Sequence, residues 1–176
     1  MATGIAMTHP AQTVFGGGFA VDLGLNITRV VVLTATLLTL CLSVDSVANL
    51  ARETEFYVLL LLGALGSICL AGANDLLVLV AAYLLASVPL YALAGFSKDS
   101  PGTEAALKYY LLGALFGIVM LLGVTLLFGV GGGTDYATLA ATLPAAARVV
   151  VAVGLVATLA GLLFKAGAVP AHFWVP

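Results

Sequence analysis

Charged residues are scarce in this chain. Asp, Glu, Lys and Arg make up only 8% of its 176 residues, whereas they make up roughly 25% of an ordinary soluble domain. The formal net charge of −2 excludes the basic field that a nucleic-acid partner requires. Hydrophobic residues account for 62% of the chain, with a mean hydropathy of +1.20. This composition predicts an integral membrane protein that binds lipid and other apolar helices, and no nucleic acid.

Residues that could hold a metal or a redox centre are almost absent. The two cysteines, Cys41 and Cys69, lie inside apolar runs and lack the spacing of a metal or redox motif. The two histidines form no cluster with them that could ligate haem or an iron–sulfur centre. We therefore expect this chain to bind no cofactor.

Long apolar runs dominate the rest of the sequence. A membrane-spanning helix needs about 20 mostly apolar residues, and five windows meet this requirement. The fold class predicted is all-α, a polytopic membrane helix bundle of about five transmembrane helices. An extramembrane segment, residues 1–22, is expected before a transmembrane domain, residues 23–176. The approximate spans are 23–44, 56–73, 76–96, 104–130 and 148–168.

The connections between the windows differ in character. Asn74 and Asp75 alone separate the second window from the third, which predicts a helical hairpin. Between the fourth and fifth windows lies GVGGGTDYATLAATLPAAA, residues 129–147. Its three consecutive glycines do not form a phosphate-binding loop, because the Lys-Ser/Thr pair of that motif is missing. We interpret this stretch as a flexible extramembrane connection.

Small residues mark possible helix contacts. Gly113 and Gly117 form a GxxxG pair, and Ala157 with Gly161 forms a second pair at the same spacing. Such pairs let helix backbones approach closely in lipid. Glycine and alanine are abundant in this chain, so chance occurrence is an equally simple explanation.

The basic residues indicate an orientation. Cytoplasmic ends of membrane helices are enriched in Lys and Arg. With alternating spans, four basic residues fall on one face and two on the other, which places the first face in the cytoplasm and the N-terminus outside. The four are Arg52, Lys98, Lys108 and Lys165, and the two are Arg29 and Arg148.

Lys165 is the residue with the highest energetic cost in the fifth window. A charge at the centre of a spanning helix costs about 2.5–3.5 kcal/mol on insertion scales. Pro170 should break the helix just after it. Freed carbonyls beside an ammonium would favour a hydrated cavity, in which the lysine could carry protons. Alternatively, Lys165 extends to the cytoplasmic interface, with His172 and Trp174 as an anchor, and spacing alone favours this reading.

Three further features have simple structural explanations. Lys108 stands four residues after Glu104, where an i,i+4 ion pair is stabilising, and spacing alone places it at the membrane interface. Pro89 should kink the third helix and release the carbonyl of the residue four positions earlier. Asp22 and Arg29 are expected to pair at the outer interface.

Six motifs occur in order along the chain. They are FGGGFAVD (15–22), EFYVLLLL (55–62), NDLL (74–77), PLYALAGF (89–96), EAALKYYLLGAL (104–115) and LLFKAGAVPAHFWVP (162–176). Together they resemble the antiporter-like membrane subunits of the bacterial NADH:quinone oxidoreductase, respiratory complex I, and among these the subunit N family. The resemblance covers nearly the whole chain after Thr13.

The resemblance implies a function and its residues. Members of the family contribute to proton translocation coupled to quinone reduction, through inverted repeats with discontinuous helices. The family's central proton-carrying lysine corresponds to Lys165, and a lysine that links neighbouring proton sites corresponds to Lys108. The resemblance also implies a subunit of a translocase enzyme in the bacterial plasma membrane. Its partners would be the other membrane subunits, and NADH and quinone would be substrates of the complex, not ligands of this chain.

The sequence departs from the family in two respects. Family members have a glutamate in the pattern ELLSLPLY, but here the string is LLASVPLY and the position is Leu84. The chain also holds only about five of the family's many spans, so it resembles a partial or truncated member. Other readings remain open: a non-pumping structural or truncated paralogue, a subunit of a related cation/proton antiporter or membrane-bound hydrogenase, or an unrelated small transporter.

Overall fold

Five long apolar helices form the protein, as the composition predicts. The computed structural model describes residues 11–48, 50, 52–169 and 171–172. Each of the five helices is long and apolar enough to cross a membrane, which confirms an all-α, multi-pass architecture. The helices are α1 (Leu23–Val47), α2 (Glu53–Gly72), α3 (Leu76–Ala94), α4 (Ser100–Gly131) and α6 (Arg148–Lys165), with a short helix α5 (Tyr136–Thr142) between the last two.

The helix ends follow from capping residues. α4 begins four residues before its predicted window because Asp99 accepts a hydrogen bond from the Gly102 amide at 2.8 Å and Pro101 occupies the first turn. Asp22 caps α1 by accepting from the Leu25 amide at 2.7 Å. The expected ion pair of Asp22 with Arg29 is therefore wrong, and Arg29 instead donates to the side-chain oxygen of Asn26 at 3.1 Å.

The chain folds as two compact units that divide between Ser97 and Lys98. In the first unit, α2 and α3 pack as the predicted helical hairpin. Asp75 caps α3 by accepting hydrogen bonds from the amides of Leu77 and Val78. The side chain of Asn74 donates to the carbonyl of Gly17 at 2.8 Å, so the turn between the helices also holds the segment that precedes α1.

The segment before α1 contains two short strands that the sequence does not predict. β1 (Gln12–Val14) pairs antiparallel with β2 (Phe19–Val21). Gly16 and Gly17 have φ angles of 66° and 94° and allow the reversal. The ring of Phe19 lies directly against Gly72, where a Cβ atom would overlap it. The hairpin thus closes the end of the first unit at which α2 meets α3.

An aromatic clamp closes the opposite end of α2 and α3. The guanidinium of Arg52 donates to the carbonyl of Phe96 at 2.9 Å and stands 4.8 Å from the centroid of its ring. Phe56 meets the same ring edge-on at 5.4 Å. Between the two ends, α3 continues through Pro89, and Gly66 of α2 lets the backbones touch at Leu85 and Ala86.

In the second unit, α4 and α6 form a closely packed antiparallel pair. A Cβ atom added at Gly123 would lie 2.6 Å from the Gly154 carbonyl oxygen and from Thr158. One added at Gly161 would lie 2.6 Å from the Cβ of Met120. We call this contact the glycine seam, defined by Met120, Gly123, Gly154, Thr158 and Gly161. The small-residue pair that ends at Gly161 is thus part of a real helix contact, although the seam centres on Gly123 and Gly154.

The glycine-rich connection is not a structureless loop, so the expectation of a flexible segment is wrong. Gly132, with a φ of 74°, caps the end of α4, and Asp135 starts α5 by accepting from the Thr138 amide at 2.8 Å. Leu139 of α5 is buried against Gly131. The capping glycine and Leu139 are both visible in the sequence, but the run of three glycines favoured the interpretation as a flexible connection.

We expect Gly123→Ala to weaken the second unit. The added methyl group must displace backbone on α6, and overpacking of this kind costs about 1–3 kcal/mol. Thermal unfolding of the purified protein in detergent measures the effect. The matched control is Gly129→Ala in the same helix, where nothing lies within 4 Å of the new methyl group. Equal unfolding temperatures for the two variants would contradict the seam.

We expect the first turn of α5 to become less stable at acid pH. Hydrogen bonds from the side chain and backbone of Thr138 hold the pKa of Asp135 below its usual 3.8. A carboxyl group whose pKa is lower in the folded state than in the unfolded state stabilises the fold at pH values above its unfolded-state pKa. This stabilisation is lost as the pH falls through the folded-state pKa. Hydrogen exchange at the Thr138 amide should therefore lose protection on acidification, and Asp135→Ala should remove the pH dependence.

Candidate functional site

The candidate site lies at the end of α6, where Lys165 is the last helical residue. The buried face of this helix carries Gly154, Ala157, Thr158, Gly161 and Phe164, at the three- and four-residue intervals of a helix stripe. Lys165 follows the last of these and is itself half-buried. The packing of α6 against α4 therefore partly buries this residue at the end of an apolar span.

The helix ends through a Schellman motif. Gly167 has a φ of 64°, its amide donates to the Phe164 carbonyl at 3.0 Å, and the Ala168 amide donates to the Leu163 carbonyl at 2.9 Å. The predicted end of the helix just beyond Lys165 is thus confirmed, but Gly167 already terminates it. Pro170 and Trp174, which the sequence analysis used, lie outside the described residues.

The Schellman motif determines which backbone carbonyls near Lys165 are already hydrogen-bonded. The carbonyls of Leu162, Leu163 and Phe164 all accept backbone hydrogen bonds, at 2.9 to 3.0 Å. The hydrated cavity expected beside Lys165 therefore cannot be built from these three carbonyls, and it stays a prediction for the carbonyls that follow them. The helix dipole remains, and its negative end favours a cation in the last turn.

Two aromatic rings pack against Phe164, the residue before Lys165. The Phe164 ring stacks on Phe116 with centroids 5.1 Å apart and planes at 13°, and it lies 6.2 Å from Tyr109. Phe164 is only 1% exposed. We call Tyr109, Phe116 and Phe164 the aromatic cluster. Tyr109 and Phe116 are seven residues apart on α4, so they share one face and receive Phe164 between them.

An apolar crevice borders the aromatic cluster. Its volume is about 310 Å³, and its walls include Phe116, Leu163 and Ala171. Water gains nothing in such a space, because a buried water needs polar partners. The crevice gives this side of the helix end a dry, apolar wall.

Lys108 lies at the same end of the helix pair as Lys165. It forms an ion pair with Glu104, one helical turn earlier, as the spacing predicts. The side chains of Lys108 and Glu104 are 69% and 65% exposed. α4 has 32 residues and is about 48 Å long, which exceeds the roughly 30 Å of hydrocarbon in a bilayer. The exposure and the helix length agree with the interface position that spacing alone favours.

Leu84, at the position of the family's glutamate, lies on the outer face of α3. It is 47% exposed, whereas its neighbour Tyr83 is 1% exposed against the rest of the first unit. No Asp or Glu occurs elsewhere within Leu76–Ala94. The polar side chains of this helix are hydroxyls instead, including Ser87 and Tyr91, which are hydrogen-bonded to each other.

Three structural features of the candidate site were missed in the sequence. The roles of Phe116, Phe164 and Gly167 appear only in the structure. The seven-residue spacing of Tyr109 and Phe116 was a visible signal, and so was a glycine two residues after an apolar span. In the described part of the chain, no three His, Cys, Asp or Glu residues come together as a metal site.

Comparison with known proteins gives a consistent family. Residues 73–176 match the family described as NADH:quinone oxidoreductase/Mrp antiporter, TM. The chain is 58% identical, over its whole length, to NADH-quinone oxidoreductase subunit N 1 of Streptomyces griseus, and covers 37% of that protein. It is 49% identical to NADH-quinone oxidoreductase subunit N of Mycobacterium sp. (strain JLS), with 98% of this chain and 37% of that protein aligned.

Solved structures agree with the same architecture. A chain of respiratory complex I from Thermus thermophilus with bound aureothin superposes with a TM-score of 0.83 at 33% identity, over 99% of this chain and 37% of that chain. A chain of an archaeal membrane-bound sulfane sulfur reductase superposes with a TM-score of 0.86 at 23% identity, over 99% of this chain and 38% of that chain, which supports the fold alone. The chain thus spans little more than a third of the length of these relatives.

We expect Gly167→Ala to loosen the end of α6. An alanine in the left-handed conformation costs about 1–2 kcal/mol, so the hydrogen bonds of the Schellman motif should open more often. Hydrogen exchange at the Ala168 amide measures this opening. Gly167→Asn is the matched variant, because asparagine tolerates the same conformation better. Faster exchange in the asparagine variant than in the alanine variant would contradict the assignment.

Proposed function

The chain belongs to the NADH:quinone oxidoreductase/Mrp antiporter transmembrane family, and from this we propose that it contributes to proton translocation in a proton-pumping NADH:quinone oxidoreductase. The multi-pass bundle is the form expected for such a membrane subunit. Because the chain spans 37% of its subunit N relatives, the activity belongs to the larger assembly. This chain would supply one part of the proton route.

The burial of Lys165 is the observation that carries the proposal. α6 has 18 residues and is about 27 Å long, so its end lies close to the limit of the hydrocarbon. A lysine that simply extended to the interface would hold its charged head in water. As a whole residue, Lys165 is half-buried next to the packed face of the helix, so its stem is held against protein. A charged amine in that position is costly and marks a pathway for ions or protons.

The chemistry assigned to Lys165 is reversible proton transfer. The amine accepts a proton from water on one side of the site and later releases it to an acceptor on the other side. No electrons pass through this step, so the oxidation of NADH and the reduction of quinone belong to other subunits of the complex. Lys108, which forms an exposed ion pair with Glu104, is the second proton carrier in the proposal.

The leucine at position 84 bears on which groups could control the charge of Lys165. In the family that the sequence resembles, this position carries a carboxylate, and a carboxylate favours the charged form of a lysine with which it pairs. Leucine cannot form such a pair, so in this proposal the charge of Lys165 responds to other groups of the complex. The partners proposed are accordingly the other membrane subunits of the complex, with lipid around the remaining helix faces.

A non-pumping, structural member of the family is the second candidate function. Leu84 is the specific observation in its favour, since a scaffold needs the helix contacts but not the carboxylate. The glycine seam would serve either role equally. A subunit of a related cation/proton antiporter or membrane-bound hydrogenase is the same fold in another assembly. Family membership argues against the unrelated small transporter.

We expect Lys165→Ala to lower the number of protons translocated per electron by the whole share that passes through this chain, if the amine is an obligatory carrier. The measurement uses the assembled complex in inverted membrane vesicles, with a pH-sensitive dye for protons and absorbance for NADH oxidation. Unchanged proton stoichiometry in Lys165→Ala would favour the structural function over the pump.

The matched control is Lys98→Asn. Lys98 is exposed, lies outside the helices and has a φ of 57°, which asparagine tolerates. This variant removes one positive charge from the same chain without touching the site, so its proton stoichiometry should equal that of the parent. A drop equal to that of Lys165→Ala would show a general effect of charge and would count against a specific carrier.

A further inference from the structure

The aromatic cluster at the end of α6 has no part in the proton chemistry proposed above. It consists of Tyr109 and Phe116 on α4 and Phe164 on α6, and it lies at the end of the glycine seam. Along the seam, contacts are made by small residues and by Met120. At its end the contacts change to three large rings, one of which immediately precedes Lys165.

The last turn of α6 depends on few other restraints. Helix ends open more readily than helix centres, because their amides and carbonyls have fewer helical partners. The Schellman motif holds the backbone of this turn, but it does not hold the helix against α4. Phe164 does, because it is 1% exposed and stacks on Phe116. The next buried contact along α6 toward its start is Gly161, a full turn away.

The direction of Lys165 follows from this contact. Consecutive residues on a helix point about 100° apart, so a ring fixed between Tyr109 and Phe116 also fixes the direction in which the lysine leaves the helix. If the ring is lost, the last turn can rotate or open, and the amine no longer keeps one direction. The angle of Lys165 around the helix is therefore set by its neighbour.

We propose that Phe164 is a positioning residue for Lys165, held by Phe116 and Tyr109 of α4. The proposal rests on the proton-carrying function of Lys165, but its structural part can be tested apart from that function. Phe164 exchanges no proton. Its contribution is to keep the amine in one place relative to the groups that exchange protons with it.

Other ionisable groups belong to the same end of the second unit. On α4 they are the phenols of Tyr109 and Tyr110 and the exposed ion pair of Lys108 with Glu104. On the segment after α6 it is His172, which is exposed. The variants below leave each of these groups unchanged, so an altered environment at position 165 reports the aromatic contact.

The first experiment measures the environment of position 165 directly. Cys41→Ser and Cys69→Ala remove the native thiols, and Lys165→Cys supplies one reporter in the chain in its native membrane. A water-soluble maleimide then labels the reporter. Adding Phe164→Leu should increase the labelling rate by roughly 2- to 10-fold, the factor expected for the loss of one aromatic pair. Phe116→Leu should have the same effect from the opposite helix.

The double variant tests whether the two rings act together. If Phe116 and Phe164 act as one contact, the labelling rate of the double variant should equal that of either single variant and should not be their product. Phe128→Leu is the matched control, because Phe128 lies on α4 with its ring 49% exposed. A labelling rate unchanged by Phe164→Leu and Phe116→Leu, or raised equally by Phe128→Leu, would overturn the proposal.

The second experiment uses the assembled complex with Lys165 intact. Phe164→Leu should lower the protons translocated per electron in each complex that assembles, whereas a purely structural defect would lower only the amount of complex. A proton ratio equal to that of the parent would overturn the positioning role. If Lys165→Ala has no effect on the ratio, the proposed function fails instead, and the labelling result still decides whether Phe164 fixes position 165.

Discussion

The need to satisfy every backbone polar group inside a membrane determines how this chain can end a helix beside a lysine. In hydrocarbon, an unpaired carbonyl costs several kcal/mol, so an abrupt end within α6 would be prohibitive. The Schellman motif at Gly167 meets this need, because three successive carbonyls, those of Leu162, Leu163 and Phe164, receive donors at 2.9–3.0 Å. These three carbonyls therefore need no water at the end of the helix. The cost that remains is that of the amine of Lys165.

A second constraint follows from the same solvent. Lipid tails are as apolar as leucine side chains, so hydrophobicity does not drive α4 against α6. Close packing has to do so, and Gly123 and Gly154 allow it by removing the side chains where the backbones meet. The cluster of Tyr109, Phe116 and Phe164 then ends the seam with large rings. Glycines bring the two helices close but make a narrow contact. The three rings widen this contact, and in our proposal they keep the last turn of α6 from rotating against α4.

The sequence predicted those features that depend on composition and on single residues. The five apolar windows, the hairpin turn at Asn74 and Asp75, and the Glu104–Lys108 pair are local patterns, and the structure contains all of them. The strands around Gly16 escaped prediction because they are only three residues long and depend on a docking contact between Phe19 and Gly72. The end of α6 was located correctly but attributed to Pro170, since proline is a stronger signal in a sequence than a glycine whose φ is unknown. The aromatic cluster joins two helices far apart in the chain, and no local pattern encodes that pairing.

The tightness of the glycine seam has a consequence for electrical insulation. A methyl group at Gly123 would already stand 2.6 Å from backbone on α6, so no file of water molecules can pass between α4 and α6 at that level. A proton therefore cannot leak along this line and dissipate the membrane potential. The close contact that holds the second unit together also acts as a dielectric barrier, and any conducting path must run on another side of these helices.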